Sequence, residues 1–317
     1  MDDDLQHLIN AFITAERAEN LSKKTLCWYE SRLTDFADWV GERDWRQVQV
    51  AREFMDHLLS RETRFEHHPR HREIAGGLSA ETVRGYGRTL RRFGNWLSEE
   101  GYTTSPPYGR LKLPKAPKAI PRGISMEDFR KMLGAAIGPR DKLVLLLLLD
   151  TGCRAGEICH LVVRDVFVDE CYALVRGKGN KDRFVFFSPV TQAALREWIN
   201  VRPDQAGEYL LCVARDEKGG GKAIEPMEIA SLHVMLKRVG KRAGATGPHN
   251  AHSFRHAFVR EQLQNGNNLA SVSAMAGHSD VATTNRYAVF LKMELQRSHD
   301  RYSPIAQMKL PGNMVVE

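Results

Sequence analysis

Apolar residues recur at helical spacing through the first hundred positions of the chain. Tyr29, Leu33, Phe36 and Trp39 follow one another at intervals of 4, 3 and 3, and Tyr86, Leu90, Phe93 and Trp96 repeat those intervals 57 residues later. This spacing puts the apolar side chains on one face of a helix. The repeat extends upstream through Leu21, Ser22 and Thr25, matched by Leu78, Ser79 and Thr82. The two serines stand where a helix N-cap belongs. The pattern predicts two amphipathic helices of one bundle.

Past residue 125 the pattern changes. Ser125-Met126-Glu127-Asp128 has the form of a capping box opening a new helix. Asp141 to Asp150 predicts a buried helix, Thr151-Gly152 interrupts it, and Arg154 to Leu161 predicts another helical segment. Short β-branched and aromatic runs follow at 165–168 (DVFV), 172–175 (YALV) and 184–187 (FVFF), as in a small antiparallel sheet. The loop GKGNKD at 177–182 joins the last two, with glycines suited to positive φ. From Glu225 onward the pattern is helical again, through at least four segments, and Phe290, Leu291 and Leu295 form one more apolar face. The fold class expected is mainly α with a small antiparallel β-sheet.

Between these regions runs RLKLPKAPKAIPR (110–122), with five basic residues, three prolines and no acid. Such a segment cannot be a helix and should be extended. The chain of 317 residues suits two domains. The boundaries read as a helical domain over 1–112, a basic proline-rich linker over 113–124 and a second domain over 125–317.

Charge adds a hint about partners. The net charge is +7 and the pI near 9.2, which suits a nucleic acid but does not require one. Arg84, Arg88 and Arg91 fall at i, i+4 and i+7, with Arg92 beside them. A basic stripe opposite an apolar one can lie against phosphates, and an ordinary solvated face has the same pattern. Lys112, Lys115 and Lys118 in the linker are placed to follow a phosphate backbone. The longest apolar run, Leu143 to Leu149, is far short of the roughly 20 residues a bilayer span needs. The start, Met1-Asp2-Asp3-Asp4, is acidic and no apolar segment follows, so a secretory signal is not expected and the protein reads as cytoplasmic. Five cysteines without a CxxC pair argue against a disulfide framework or a zinc module. His67, His68 and His71 in FEHHPRHRE read as a solvated loop rather than a metal site.

The second domain scatters phosphate ligands in contexts that should hold them still. Arg154 follows Thr-Gly-Cys at a helix start, Lys178 sits at the tip of the glycine-rich hairpin, and His252 and Arg255 share a helix face. His278 lies in Ala-Gly-His-Ser, and Tyr287 follows nine residues later. Each alone has a plain explanation, a surface ion pair for an arginine or a structural hydrogen bond for a histidine. His252 and His256 are spaced like a zinc pair, but no glutamate follows His252 as in HExxH.

Taken together and in order, TGCRAGE, GKGNKDR, HSFRH, AGHS and TTNRY resemble the signature segments of the tyrosine recombinases, the phage integrase family. Arg154 to Lys178 is 24 residues and His252 to His278 is 26. The likeness covers essentially the whole second domain, while the first fits the family's core-binding domain more loosely. It departs at Ala276, Val289 and Cys153, none of which removes a catalytic group.

The resemblance implies a C-shaped clamp of two domains on duplex DNA and a covalent 3′-phosphotyrosyl enzyme formed by Tyr287. Arg154 and Arg255 would present planar forks of donors to the nonbridging oxygens, and His278 one more donor. Preorganised donors of this kind contribute about 3 kcal/mol each. A phenol with an ordinary pKa near 10 needs help losing its proton, which the arginines and His252 would supply. Lys178 would protonate the leaving 5′-oxygen. Glu157, a helical turn after Arg154, would orient the basic groups around it. The phosphotyrosine conserves bond energy, and the sequence holds no P-loop and no carboxylate cluster for magnesium, so no cofactor, ATP or metal is expected. The C-terminal helix over 288–296 would dock into a neighbouring subunit, giving a tetramer on two sites. The helical pattern starts by about residue 5, which favours a simple recombinase on short inverted core sites over an integrase with arm sites. A type IB topoisomerase, a DNA-binding regulator with a dead site and a metal nuclease are the competing readings.

Overall fold

The structure, a computed structural model, describes residues 4–64, 73–115, 121–177, 182–216 and 222–277. Lys118, Lys178, His278 and Tyr287 lie outside the described residues, as do His67, His68, His71 and the segment 288–296. The chain separates into two compact units, Met1–Lys118 and Ala119–Glu317.

The first unit is a helical bundle of α1 (Leu5–Ala18), α2 (Lys23–Val40), α3 (Val48–Ser60) and α4 (Ala80–Glu99), with a short antiparallel pair, β1 (Thr63–Arg64) and β2 (Ile74–Ala75), between the last two. The repeat is α2 and α4. Ser22 Oγ accepts the Thr25 N–H at 3.2 Å and Ser79 Oγ the Thr82 N–H at 3.1 Å, so both copies are capped alike. Leu33 and Phe36 from one copy and Leu90, Phe93 and Trp96 from the other are buried, and Phe12 of α1 packs on Phe93 and Trp96 with centroids 5.4 and 5.5 Å apart. Beyond α4, fully buried Tyr108 donates its hydroxyl to the Trp45 carbonyl at 2.7 Å.

The second unit is built around α6 (Gly138–Thr151), whose run Leu143 to Leu149 is apolar on all sides and mostly buried. It packs on α8 (Pro189–Val201) and α10 (Ala251–Gln264). α5 (Met126–Ala135) pairs with α9 (Ile229–Ala243), α7 (Ala155–Cys159) lies between α6 and α9, and α11 (Leu269–Ala276) packs on α10. Ser125 Oγ accepts the Asp128 N–H at 3.0 Å, as its capping-box pattern predicts. Strands β3 (Val166–Phe167), β4 (Tyr172–Arg176) and β5 (Asp182–Phe186) form an antiparallel sheet in that order. Its inner face carries Ala173, Val175 and Val185, all buried.

A second hairpin, β6 (Cys212–Asp216) with β7 (Lys222–Pro226), departs from the sequence reading. The helical pattern from Glu225 starts too early: Glu225 and Pro226 finish β7, and the helix begins at Ile229. Proline biases the residue before it toward extended backbone, which keeps Glu225 in the strand. Among the described residues no helix is long and apolar enough to cross a membrane.

Candidate active site

The end of α6 sets the site. Gly152 takes the left-handed conformation (φ 60°, ψ 20°) that ends the helix, and the chain turns back through Cys153 into Arg154, the N-cap of α7. Glu157, in the first turn of α7, is nearly buried. Its Oε2 accepts the Arg154 backbone N–H at 2.7 Å, and its Oε1 accepts Arg154 Nη1 at 2.8 Å. A carboxylate at a helix N-terminus is also favoured by the helix dipole.

α10 brings the second guanidinium. Asn250 caps the helix by accepting the Ser253 N–H at 3.0 Å, which places His252 and Arg255 in its first turns. Arg255 is only 3% exposed. Its Nη1 donates to the Gly152 carbonyl at 2.8 Å and its Nη2 to the Ala276 carbonyl. Arg154 Nη2 donates to the next carbonyl along, that of Gly277, at 3.0 Å. The two arginines therefore meet at the C-terminal end of α11, one residue before His278. Their forks are aimed chiefly by backbone carbonyls, which orient a cation without neutralising it.

The electrostatics follow from this crowding. Burial, with Arg154 and Arg183 nearby, brings the Arg255 pKa down to about 10, and Glu157 opposes the shift. It stays protonated near neutral pH. Burial, then the charges of Arg255 and Arg154, also hold His252 below its usual 6.5, so its neutral ring is favoured. The His252 and His256 rings meet edge to face, with centroids 4.2 Å apart. A cavity of about 550 Å³ opens beside Arg154, lined by Glu157, His160, Arg164, Arg176 and Tyr209 among others.

Of the side chains singled out from sequence, the structure brings Arg154, Glu157, His252 and Arg255 together. Arg183 of β5 completes the cluster and was missed. Its Nη2 donates to Glu157 Oε2 at 3.0 Å. The signal was present, since Arg183 stands two residues before inward-facing Val185 in the run DRFVFF and so shares its face.

In the first unit the basic stripe is divided. Arg88 pairs with Glu81, and Arg91 Nε donates to the Leu111 carbonyl at 2.9 Å. Arg92 turns to buried Glu16, with Nε 2.8 Å from Oε1. Arg84 makes no ion pair among the described residues, and Lys112 and Lys115 are exposed.

Fold and site define a protein with a preorganised guanidinium cluster suited to an anionic, phosphate-like group. Residues 125–293, more than half of the chain, match the model of the phage integrase family, and the chain belongs to that family, the tyrosine recombinases, enzymes of site-specific DNA recombination. The tyrosine recombinase XerC of Xanthomonas axonopodis pv. citri is 28% identical over 237 residues, covering 74% of this chain and 75% of its own length. XerC of Alcanivorax borkumensis is 27% identical over 311 residues, covering 95% of each chain. Among solved structures, the Tn1549 transposon integrase in complex with a circular intermediate DNA superposes with a TM-score of 0.69 at 16% identity. That match covers 93% of this chain and 99% of the integrase, and it shows a shared fold.

Proposed function

We propose that the chain cuts and rejoins duplex DNA at specific recombination sites, with Tyr287 as the nucleophile. The observation that carries the reading is the convergence of Arg154 and Arg255 on the carbonyls just before His278, with Glu157 the carboxylate paired to Arg154. In this reading the two forks and His278 hold the nonbridging oxygens of the scissile phosphate, where negative charge grows in the transition state. The phenol oxygen of Tyr287 attacks phosphorus and its proton passes toward neutral His252. The phosphorus–oxygen bond to the 5′-oxygen breaks, and Lys178 delivers a proton to that oxygen. The 3′-phosphotyrosyl bond keeps the energy for rejoining, so neither ATP nor a metal ion takes part.

Arg84, Arg88, Arg91, Lys112, Lys115 and Lys118 contact the flanking phosphates, with Arg84, exposed Lys112 and exposed Lys115 well placed to do so. The helical unit over 1–112 is a core-binding domain, 113–124 a basic linker and 125–317 the catalytic domain. The enzyme acts in the cytoplasm as a tetramer on two synapsed sites, joined through the segment after Tyr287.

The test is covalent trapping. The full chain and its Tyr287→Phe variant are incubated with nicked suicide DNA carrying candidate sites, in EDTA, and run on a denaturing gel. A slow-migrating adduct with the parent protein and none with the variant is expected. An adduct that persists in the variant overturns the assignment of Tyr287, and confirmed DNA binding without any adduct points instead to a regulator with a dead site. Joining of strands between two duplexes, rather than relaxation of one, separates recombination from topoisomerase activity.

A further inference from the structure

Arg183 has no part in the mechanism above, yet it is held close within the cluster. Its side chain is 14% exposed, and the register Val175↔Arg183 turns it to the inner face of the sheet. Its Nη2 donates to Glu157 Oε2 at 3.0 Å. Its Nε and Nη1 are buried and make no well-formed hydrogen bond among the described residues, with the Cys153 thiol as a weak neighbour. Burying donors idle is unfavourable, so an arginine kept there needs a reason beyond packing.

The geometry around Glu157 supplies one. Oε1 of Glu157 holds Arg154 Nη1, while Oε2 is shared between the Arg154 backbone N–H and Arg183 Nη2. Arg183 thus fixes the carboxylate from the sheet side, and the carboxylate fixes Arg154 from the helix side. A carboxylate divided between two guanidiniums also leaves Arg154 with positive charge to spare. The same side chain lies flat against Gly277, where a Cβ would fall 2.5 Å from Arg183 Nε and 2.7 Å from Cδ. Gly277 has φ +62° and its carbonyl receives Arg154 Nη2. Arg183 therefore backs both supports of Arg154, Glu157 on one side and the Gly277 turn on the other.

We infer that Arg183 is a positioning residue for strand cleavage, holding Glu157 and the Gly277 turn so that the Arg154 fork stays aimed at the scissile phosphate. This rests on the reading of Arg154 and Tyr287 given above. The catalytic groups remain those named there, with Arg183 acting through its neighbours.

The test is single-turnover cleavage of suicide DNA by the full chain at saturating enzyme, with DNA affinity measured separately. Arg183→Met is expected to cleave about 100-fold more slowly, the loss that small misplacement of a catalytic group brings, with affinity nearly unchanged. Arg183→Lys should recover part of the rate, since an ammonium can hold Glu157 at one point but lacks the fork. In a Glu157→Gln background, adding Arg183→Met should cost less than about 3-fold, because coupled residues do not lose additively. A wild-type rate in Arg183→Met overturns the inference, as does an undiminished loss in the Glu157→Gln background or a parallel fall in affinity. If Arg183→Met does not fold, as judged by thermal melting, the same cycle with Arg183→Lys decides. Tyr287→Phe is run alongside. An adduct surviving in it sinks the reading of the site, whereas Arg183 variants at full rate with a Tyr287-dependent adduct sink only the positioning role.

Discussion

Gly152 and Gly244 offer a matched pair of perturbations. Both end a helix in the left-handed region, at φ 60°, ψ 20° after α6 and φ 63°, ψ 29° after α9. An alanine there costs about 1–2 kcal/mol in backbone energy, of which the stiffer unfolded chain returns about 0.4–1 kcal/mol. That part is common to both. The space is different. A Cβ on Gly244 meets nothing within 4 Å, but one on Gly152 falls 2.3 Å from Phe258 Cδ1 and 2.8 Å from Cγ. Phe258 is 4% exposed and packed with Val259, Leu263, Val272 and Ala276, so making room for a Cβ means moving a packed ring. Forcing such a shift adds about 1–3 kcal/mol. For a unit of this size each kcal/mol moves Tm by about 2–4 °C, so Gly244→Ala should lower the transition of the second unit by about 3 °C and Gly152→Ala by about 6–12 °C. Scanning calorimetry of the full chain reads both.

The two variants should also differ in chemistry. The Gly152 carbonyl accepts Arg255 Nη1 at 2.8 Å, so any shift of this turn displaces a guanidinium of the site. Cleavage by Gly152→Ala at 25 °C should fall by about 10–100-fold, and cleavage by Gly244→Ala should stay at the parent rate. Equal melting of the two variants within about 2 °C, the resolution that separates one kcal/mol here, would refute the packing argument. A Gly152→Ala protein that melts early but cleaves at full rate would refute the link from this turn to Arg255.

Three further outcomes can be checked. Arg84→Ala should weaken DNA binding and reduce the slope of log affinity against log salt by about one, while Arg91→Ala should in addition melt earlier because it loses its bond to Leu111; equal melting would refute the division of the stripe. The His252 ring should titrate below 6.5 by NMR in the DNA-free protein, because burial, Arg255 and Arg154 all disfavour its cation. Its share of stability is thus held above the unfolded pKa and lost as pH falls through the depressed folded value, so His252→Gln should flatten the acid side of the stability curve, and a midpoint above 6.5 would refute this. Arg255→Lys keeps the charge but cannot span the Gly152 and Ala276 carbonyls, and single-turnover cleavage should fall by about 10²–10³-fold; a near-parental rate would show that the fork is dispensable.

What could be read from sequence was what local periodicity writes down. The paired serine caps, the buried α6 and the three-stranded sheet all carry their period in a few residues. The β6–β7 hairpin does not. CVARD and KAIEP have few β-branched residues and weak alternation, so their pairing is decided by the neighbours they cover. Arg154, Glu157, His252 and Arg255 were singled out one by one, but Arg183 was missed and the connections among them were not legible. Nothing in the spacing of Arg154 and Arg255 tells that they are held by the Gly277 and Ala276 carbonyls, because that depends on where α11 ends in space. The partners within the basic stripe were not legible for a related reason. Arg84, Arg88 and Arg91 share a face, yet Leu111 and Glu81, far and near in sequence, each claim one of them.

The choice of partners in the site explains its electrostatic state. Among the described residues, three guanidiniums, of Arg154, Arg183 and Arg255, cluster with the one carboxylate of Glu157, and the carbonyls of Gly152, Ala276 and Gly277 accept from Arg154 and Arg255. A carbonyl aims a guanidinium through its dipole but carries no net charge, and the C-terminal end of α11 adds only a partial negative charge. Replacing any of these carbonyls by a carboxylate would hold the arginines as firmly and cancel the field they make. The depressed pKa values of Arg255 and His252 have one origin with this arrangement: burial together with positive charge that the described residues leave only partly compensated. A site in that state is electrostatically incomplete until an anion enters. The phosphate that completes it gains most when its own charge is greatest, which for phosphoryl transfer is at the transition state.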